Sequence, residues 1–185
     1  MNVTETKLKG CFILEPNVYQ DNRGYFFESF NQEKFNELIN CNINFVQDNE
    51  SFSSKGILRG LHYQTGKYSQ SKLVRVVKGK VLDVTVDIRT ESKTFGEHVS
   101  IELSEENKKQ IFIPKGFAHG FVVLSDTAIF AYKCDNYYNK DAEAGIIYND
   151  SILQIDWKLH EQEIIVSDKD LILPKFKHRI LWNQF

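Results

Sequence analysis

The stretch that decides the fold of this chain lies between residues 57 and 79. It reads Ile-Leu-Arg-Gly-Leu-His-Tyr-Gln at 57–64 and, after a short polar break, Gln-Ser-Lys-Leu-Val-Arg-Val-Val-Lys-Gly at 70–79. Strand-forming residues between glycines predict two β-strands with their polar side chains on one face. That face is either solvated, with one core histidine, or it binds an anionic ligand. Its titratable and cationic members are Arg59, His62, Lys72 and Arg75.

Short alternating segments continue on both sides of this stretch. The clearest two-residue period is at 81–88, where Leu82, Val84, Val86 and Ile88 alternate with Val81, Asp83, Thr85 and Asp87. Many strands at intervals of about ten residues predict a mainly β protein, an antiparallel sandwich or barrel. Further strand candidates lie at 10–16, 25–28, 45–49, 99–103, 111–113, 122–124 and 128–133.

One short helix is predicted near the N-terminus. Phe35, Leu38 and Ile39 have helical spacing, and Asn31 is a suitable N-cap residue. The polar and apolar mixture after residue 149, which includes Trp157 and Trp182, is predicted to pack outside the β-core.

Length and composition favour one cytoplasmic domain over residues 1–185. The net charge of −2 gives no indication of nucleic-acid binding. No apolar run approaches the roughly 20 residues of a membrane span, and the polar N-terminus lacks the apolar core of a signal peptide. The three cysteines, Cys11, Cys41 and Cys134, are far apart and match no metal spacing, so we expect reduced thiols.

A half-motif of the cupin jelly rolls stands at residues 114–119. Pro114-Lys115-Gly116-Phe117-Ala118-His119 fits their pattern P-x-G-x-x-H. A metal-binding cupin also needs His-x-His and a following Glu, whereas the strand of His62 carries one histidine and is followed by Lys72. Because a cation opposes metal binding, we expect a cupin-like fold with no metal.

Longer motifs carry a more specific resemblance. The chain resembles the dTDP-4-dehydrorhamnose 3,5-epimerases, which are cupin-type enzymes of dTDP-L-rhamnose synthesis. The matching pieces are Asp21-x-Arg23-Gly24-x-Phe26-x-Glu28, Gln47-Asp48-Asn49-x-Ser51, residues 56–64, Gln70-x-Lys72-Leu73-Val74-Arg75-Val76, Asp83-Val84-x-Val86-Asp87-x-Arg89, Thr94-Phe95-Gly96, Ile113-Pro114-x-Gly116-Phe117-Ala118-His119-Gly120-Phe121, Tyr132-Lys133 and Ser167-x-Lys169-Asp170.

The resemblance implies a role for each matching residue. His62 corresponds to the general base and Asp170 to the carboxylate that orients it. Tyr132 corresponds to the acid on the opposite face of the sugar, and Lys72 to a cation beside the sugar. Residues that hold the nucleotide sugar correspond to Arg23, Glu28, Gln47, Asn49, Arg59, His119, Glu143 and Lys169, with the aromatic residues Phe26 and Tyr138 near the thymine.

The resemblance also implies an activity and an assembly. The enzyme would convert dTDP-4-dehydro-6-deoxy-D-glucose, a dTDP-linked 4-keto-6-deoxyhexose, to dTDP-4-dehydro-L-rhamnose without a cofactor. It would act in the supply of sugar for O-antigen and other cell-surface polysaccharides. It would be a homodimer, with a cupin-like jelly-roll β-sandwich, a few short helices and an exchanged N-terminal strand.

The chemistry of such a reaction fits these residue types. A 4-keto group acidifies the C–H bonds at C3 and C5, so epimerisation needs a base on one face and an acid on the other. A histidine held by a carboxylate suits the first task, and a tyrosine suits the second. Lys72 can stabilise the enolate oxygen, and forked guanidinium groups at Arg23 and Arg59 suit the diphosphate.

Three alternatives remain open at this point. The first is a related cupin enzyme, either a 3-epimerase, a 5-epimerase or a 3,4-ketoisomerase, acting on a dTDP-4-keto-6-deoxy sugar. The second is a non-catalytic sugar-binding β-sandwich, which would not need His62, Lys72, Tyr132 and Asp170 together. The third is a metal-dependent cupin, which the incomplete ligand set disfavours.

Overall fold

The computed structural model describes residues 1–176. Two sheets and a small hairpin account for the strands, and two short α-helices accompany them. In chain order the elements are β1 (Asn2–Glu5), β2 (Phe12–Glu15), β3 (Tyr19–Asp21), β4 (Gly24–Phe26), α1 (Gln32–Leu38), β5 (Gln47–Ser54), β6 (Ile57–Gln64), β7 (Lys72–Lys78), β8 (Lys80–Asp87), β9 (His98–Ser104), β10 (Gln110–Ile113), β11 (Phe117–Val123), β12 (Thr127–Cys134), β13 (Glu143–Gly145), β14 (Ile165–Val166) and α2 (Asp168–Leu171).

The two sheets pack as a sandwich. The first sheet has the order β1-β2-β10-β7-β12-β5, and the second has the order β13-β6-β11-β8-β9. Neighbouring strands are antiparallel except for β14, which pairs with β6 in parallel. Strands β3 and β4 form a separate hairpin. The predicted mainly β sandwich with few helices is confirmed.

The predicted helix is confirmed as α1. The side chain of Asn31 accepts a hydrogen bond from the backbone N–H of Lys34 at 3.1 Å, so it caps the helix as expected. Phe35 and Ile39 are buried with Leu73 and Phe112 against the outer face of the first sheet. The helix therefore closes part of that face.

Strand β8 has both faces buried. Val81 belongs to the core cluster between the sheets, with Phe121 and Phe130. Leu82 and Val84 belong to a second cluster on the outer face of the second sheet. By alternation Asp83 and Thr85 share the inner face with Val81. The polar members of the pattern therefore lie inside the sandwich and not in solvent.

The chain after β13 covers the outer face of the second sheet. Trp157 is buried in the outer cluster, and its indole N–H donates to the carbonyl of Tyr148 at 3.0 Å. The backbone N–H of Phe176 donates to Asp150 at 2.9 Å. This covering segment delivers β14 and α2 to the edge of β6. Trp182 lies outside the described residues.

Candidate active site

A cavity of about 610 Å³ opens at the edge of the sandwich, between β5 of the first sheet and β6 of the second. His62, Lys72, His119 and Tyr132 all line it, as predicted. Five other residues of the predicted set line the same cavity: Asn49, Arg59, Glu143, Lys169 and Asp170.

His62 and Asp170 form a hydrogen-bonded pair in this cavity. Nε2 of His62 lies 2.7 Å from Oδ1 of Asp170, and the carboxylate is almost fully buried. Burial alone would raise the pKa of Asp170, but the hydrogen bond and charge of His62 outweigh it, so the pKa of Asp170 is lowered. A carboxylate on Nε2 leaves Nδ1 of His62 available to the cavity.

Glycine at position 60 lets two strands approach closely beside this pair. Its φ is +137°, and a Cβ there would lie 2.5 Å from Cα of Gly120 on the neighbouring strand β11. The register of β6 and β11 is irregular at this point, between His119 and Phe121. The backbone N–H of Gly60 also faces Oδ2 of Asp170 at 3.4 Å. Gly60 therefore allows the close strand contact and also provides a backbone donor to the carboxylate.

Lys72 and Tyr132 face the histidine pair from the first sheet. Nζ of Lys72 lies 5.8 Å from the centroid of the Tyr132 ring. Burial lowers the pKa of Lys72, although the neighbouring acids Asp83 and Glu143 oppose the effect. Burial raises the pKa of Tyr132, so its phenol stays protonated. The site thus has an imidazole on one wall, and a phenol with an ammonium group on the other.

Asp83 is a buried partner of His119 that was not among the predicted site residues. Nε2 of His119 lies 2.8 Å from Oδ2 of Asp83, whose side chain is fully buried. The sequence signal that could have identified it is an acidic residue within the alternating strand at 81–88. It was missed because a polar face in a strand usually indicates solvent.

The rim of the cavity is a chain of hydrogen bonds. Nζ of Lys169 lies 2.8 Å from Oε1 of Glu143, and the hydroxyl of Tyr138 donates to Oε2 of the same carboxylate at 2.9 Å. The backbone N–H of Tyr138 donates to Gln47, whose amide in turn donates to Asn49 at 2.9 Å. The predicted residues Gln47 and Tyr138 therefore border the cavity through this chain.

The pKa values along the rim follow from these contacts. Burial would raise the pKa of Glu143, but the hydrogen bonds from Lys169 and Tyr138 outweigh it and lower the pKa. The hydrogen bond to Glu143 raises the pKa of Lys169. Both groups are therefore charged at neutral pH, and the cation faces the mouth of the cavity.

Three predicted residues lie outside this cavity. Arg23 pairs with Asp21 in the β3–β4 hairpin, with Nε 3.1 Å from Oδ2. Glu28 pairs with Lys34 at 2.9 Å, and the Phe26 side chain is 69% exposed. Phe26 and Glu28 line a different cavity of about 730 Å³ beside α1. A single chain does not bring these three residues to the histidine pair.

The described part of the chain lacks two features. Within residues 1–176 no group of three or more His, Cys, Asp or Glu side chains could hold a metal ion. None of the helices in those residues is long and apolar enough to cross a membrane. In this β-sandwich an oriented histidine lies opposite a tyrosine and a lysine, and these side chains are of the types that transfer protons to and from a carbon acid. The sandwich and this set of side chains together define the class as a cupin-like isomerase.

Comparison with known proteins gives the family. The model of the dTDP-4-dehydrorhamnose 3,5-epimerase family matches residues 5–178. The chain is 53% identical over 176 residues to the dTDP-4-dehydrorhamnose 3,5-epimerase of Shigella flexneri, covering 95% of this chain and 96% of the relative. The chain therefore belongs to the dTDP-4-dehydrorhamnose 3,5-epimerase family.

Solved structures agree with this assignment. The crystal structure of dTDP-4-dehydrorhamnose 3,5-epimerase from Elizabethkingia anophelis superposes with a TM-score of 0.93 at 55% identity, covering 97% of this chain and 98% of that one. A second structure, an epimerase from Legionella pneumophila in complex with dTDP-4-keto-L-rhamnose, has a TM-score of 0.91 at 50% identity, covering 95% and 93%. The cupin-like jelly-roll class expected from the sequence is confirmed.

Proposed function

We propose that this protein epimerises dTDP-4-dehydro-6-deoxy-D-glucose at C3 and C5 to give dTDP-4-dehydro-L-rhamnose, in dTDP-L-rhamnose biosynthesis. The observation that carries the proposal is the His62–Asp170 pair on one wall of a cavity whose opposite wall carries Tyr132 and Lys72. Family membership narrows the substrate to a dTDP-linked 4-keto sugar.

The first step is removal of a proton by His62. Because Asp170 holds Nε2, the ring is fixed and Nδ1 takes the proton from C3 or C5. The negative charge moves to the oxygen at C4 as the enolate forms. Lys72 supplies the positive partner for that oxygen.

The second step is protonation from the other face. Tyr132 lies on β12 of the first sheet, whereas His62 lies on β6 of the second, so a sugar ring between them meets the two groups on opposite sides. The phenol donates its proton to the carbon, and the configuration is inverted. Solvent restores the proton on Tyr132 and removes the one on His62.

The remaining polar residues fit the nucleotide part of the substrate. Arg59 is anchored by its Nε, which donates to Ser53 at 3.1 Å, and this leaves part of the guanidinium for a phosphate. Lys169 adds a cation at the mouth. Tyr138 is about half exposed at the rim and can stack on thymine.

We also infer that the protein works as a homodimer. The β3–β4 hairpin with Arg23 and Phe26 is exposed. Its side chains are suited to a diphosphate and a nucleotide base, although the hairpin lies away from the active-site cavity of its own chain. A second copy could place this hairpin at the mouth of the active site. In a single chain β1 pairs with β2, so strand exchange stays a prediction. A solution mass equal to one chain at micromolar concentration would refute the dimer.

The cytoplasm is the compartment that we propose. Cys11, Cys41 and Cys134 are free thiols in the described structure. Burial raises the pKa of Cys11 to about 12 and that of Cys134 to about 11, so both thiols stay protonated. Unpaired thiols are the usual state in a reducing compartment.

The deciding experiment uses dTDP-4-dehydro-6-deoxy-D-glucose in D₂O. We expect deuterium at both C3 and C5 and an L-rhamno product by proton NMR. Deuterium and inversion at one carbon would instead indicate a 3- or 5-epimerase, and movement of the keto group would indicate a 3,4-ketoisomerase. Absence of any exchange would contradict the proposed function.

A further inference from the structure

The buried carboxylate of Asp83 is the group that the proposed mechanism leaves unused. It lies in the middle of β8 and is 0% exposed, with one oxygen on Nε2 of His119. Its other oxygen, Oδ1, has no hydrogen-bond partner among residues 1–176, and neither has the hydroxyl of the neighbouring Thr85. A carboxylate in this state is costly for the fold.

Packing gives no reason for an acid at this position. Val81 on the same face belongs to the apolar core between the sheets. Strands β8 and β11 are already joined by a regular ladder in which Asp83 faces Phe121 and Thr85 faces His119. An apolar residue would fill the space without a desolvation cost. A buried polar group without a full set of hydrogen-bond partners is expected mainly at functional sites, and Asp83 lies beside a cavity.

The position of His119 indicates what Asp83 could serve. His119 is the cross-strand partner of His62, and both line the cavity. The ring of His119 therefore lies beside the base, where the sugar must sit, and not at the rim. Since Asp83 occupies Nε2, the nitrogen left for the cavity is Nδ1. The charged or proton-donating groups facing the same space are His62 and Arg59 from β6, Lys72 from β7 and Tyr132 from β12.

We propose that Asp83 is a positioning residue that acts through His119, holding the ring by Nε2 so that an N–H at Nδ1 faces the enolate oxygen beside Lys72. With Nε2–H donated to Asp83, Nδ1 carries a hydrogen and can donate only in the doubly protonated ring. This inference rests on the proposed epimerase function.

The test is a double-mutant cycle with Asp83→Asn, His119→Asn and the double variant. The readouts are the rate of deuterium exchange at C3 and C5 at saturating substrate and the dissociation constant of dTDP. dTDP lacks the sugar, so it does not reach the enolate position. Loss of a donor to a developing oxyanion typically slows a reaction about 10²-fold or more. We expect each single variant to slow exchange by about 10²-fold and to bind dTDP as the wild type does.

The double variant separates positioning from a merely structural role. If Asp83 acts through His119, the double variant is no slower than His119→Asn alone. Additive losses would overturn the inference, as would an unchanged exchange rate in Asp83→Asn or an equal loss of dTDP affinity. Thr85→Val is the matched control, because Thr85 is buried on the same face of β8. It should leave exchange unchanged.

Stability provides the second measurement. Asp83→Asn keeps the shape of the side chain and a carbonyl oxygen that can accept from Nε2 of His119, so the variant should fold with a Tm close to that of the wild type. A variant that fails to fold would overturn the inference in favour of a structural role. The proposed function is judged separately, by wild-type exchange and dTDP binding. If the wild type exchanges both protons and Asp83→Asn does so equally fast, only the inference falls.

Discussion

His62 and His119 are cross-strand partners on β6 and β11, and each ring is bonded through Nε2 to a different buried carboxylate. Asp170 comes from the covering segment at 2.7 Å, and Asp83 comes from β8 at 2.8 Å. Two imidazoles are thus fixed side by side, both with Nδ1 left for the cavity. The site is held from two independent directions, so its halves can be perturbed separately.

Changing Tyr132 to Phe should separate exchange from inversion. His62 and Lys72 remain, so a proton can still leave the sugar and the enolate is still stabilised. Protonation from the far face loses its donor, and net inversion should fall by about 10²–10⁴-fold. Deuterium exchange into unconverted substrate should fall much less. Proton NMR in D₂O measures both, and an equal loss of the two would mean that Tyr132 positions the substrate instead.

His62→Asn should behave differently from Tyr132→Phe. Removing the base stops proton abstraction, so exchange and inversion should be lost together. The side-chain amide of the asparagine can still donate a hydrogen bond to Asp170, so the change in shape is mild. Retained exchange at either carbon would show that another group acts as the base there.

The alkaline limit of activity should belong to Lys72. Burial lowers the pKa of this lysine below its ordinary value of 10.5, and it raises the pKa of Tyr132, which keeps the phenol protonated further into alkaline solution. Turnover at saturating substrate should therefore decline below pH 10.5. In Lys72→Arg the decline should move to higher pH, since a guanidinium stays charged. An unmoved alkaline limb would assign the decline to another group.

Mixed dimers should test whether the hairpin of one copy serves the site of another. Arg23→Ala and His62→Asn should each be weakly active alone. A heterodimer of the two variants contains one site with an intact base and an intact partner hairpin, so mixing after dissociation should restore part of the activity. Restoration should fail with a mixture of His62→Asn and Asp170→Asn, because both changes lie in the same cavity. No recovery in the first mixture would contradict a shared site.

Gly60→Ala should be strongly destabilising. The added Cβ would lie 2.5 Å from Cα of Gly120, and the φ of +137° is unfavourable for alanine. We expect a loss of about 2 kcal/mol or more in the free energy of unfolding. Gly66→Ala is the control: its φ is +56° with no heavy atom within 4 Å of the new Cβ. There the cost should be about 1 kcal/mol. Urea midpoints measure both, and equal costs would refute the steric argument.

Exhaustive chelation should leave turnover unchanged. The sequence lacks the His-x-His and Glu of metal-binding cupins, and Lys72 brings a positive charge to the cavity. Dialysis against EDTA followed by an activity assay is sufficient. A loss of turnover that a divalent ion restores would overturn the prediction.

Local patterns in the sequence were enough to predict most of the fold. The alternation at 81–88 became β8, the capped helix began after Asn31, and the stretch at 57–79 became β6 and β7. These features depend on near neighbours in the chain, so period and capping reveal them. The convergence of His62, Lys72, His119 and Tyr132 on one cavity was also predicted, with help from the family resemblance.

Long-range features could not be predicted in the same way. The apolar face of β8 packs under the covering segment after β13, so the polar face is turned toward the first sheet, and no local pattern describes that arrangement. For that reason Asp83 was missed, although its strand was recognised. The place of Arg23, Phe26 and Glu28 is a different case. A hairpin that leaves the sandwich carries no signal for which copy of the chain it will contact.

The order of the site along the chain has a consequence for synthesis. His62 and Asp170 are separated by 108 residues, and the carboxylate reaches β6 only through the segment that carries β14 and α2. Strands β1 to β13 leave the ribosome earlier, so a sandwich can assemble around a histidine whose carboxylate partner has not yet been made. The complete His62–Asp170 pair is therefore the last part of the site to form. We therefore expect a newly made chain to stay inert toward its substrate until the covering segment has closed over the sheet.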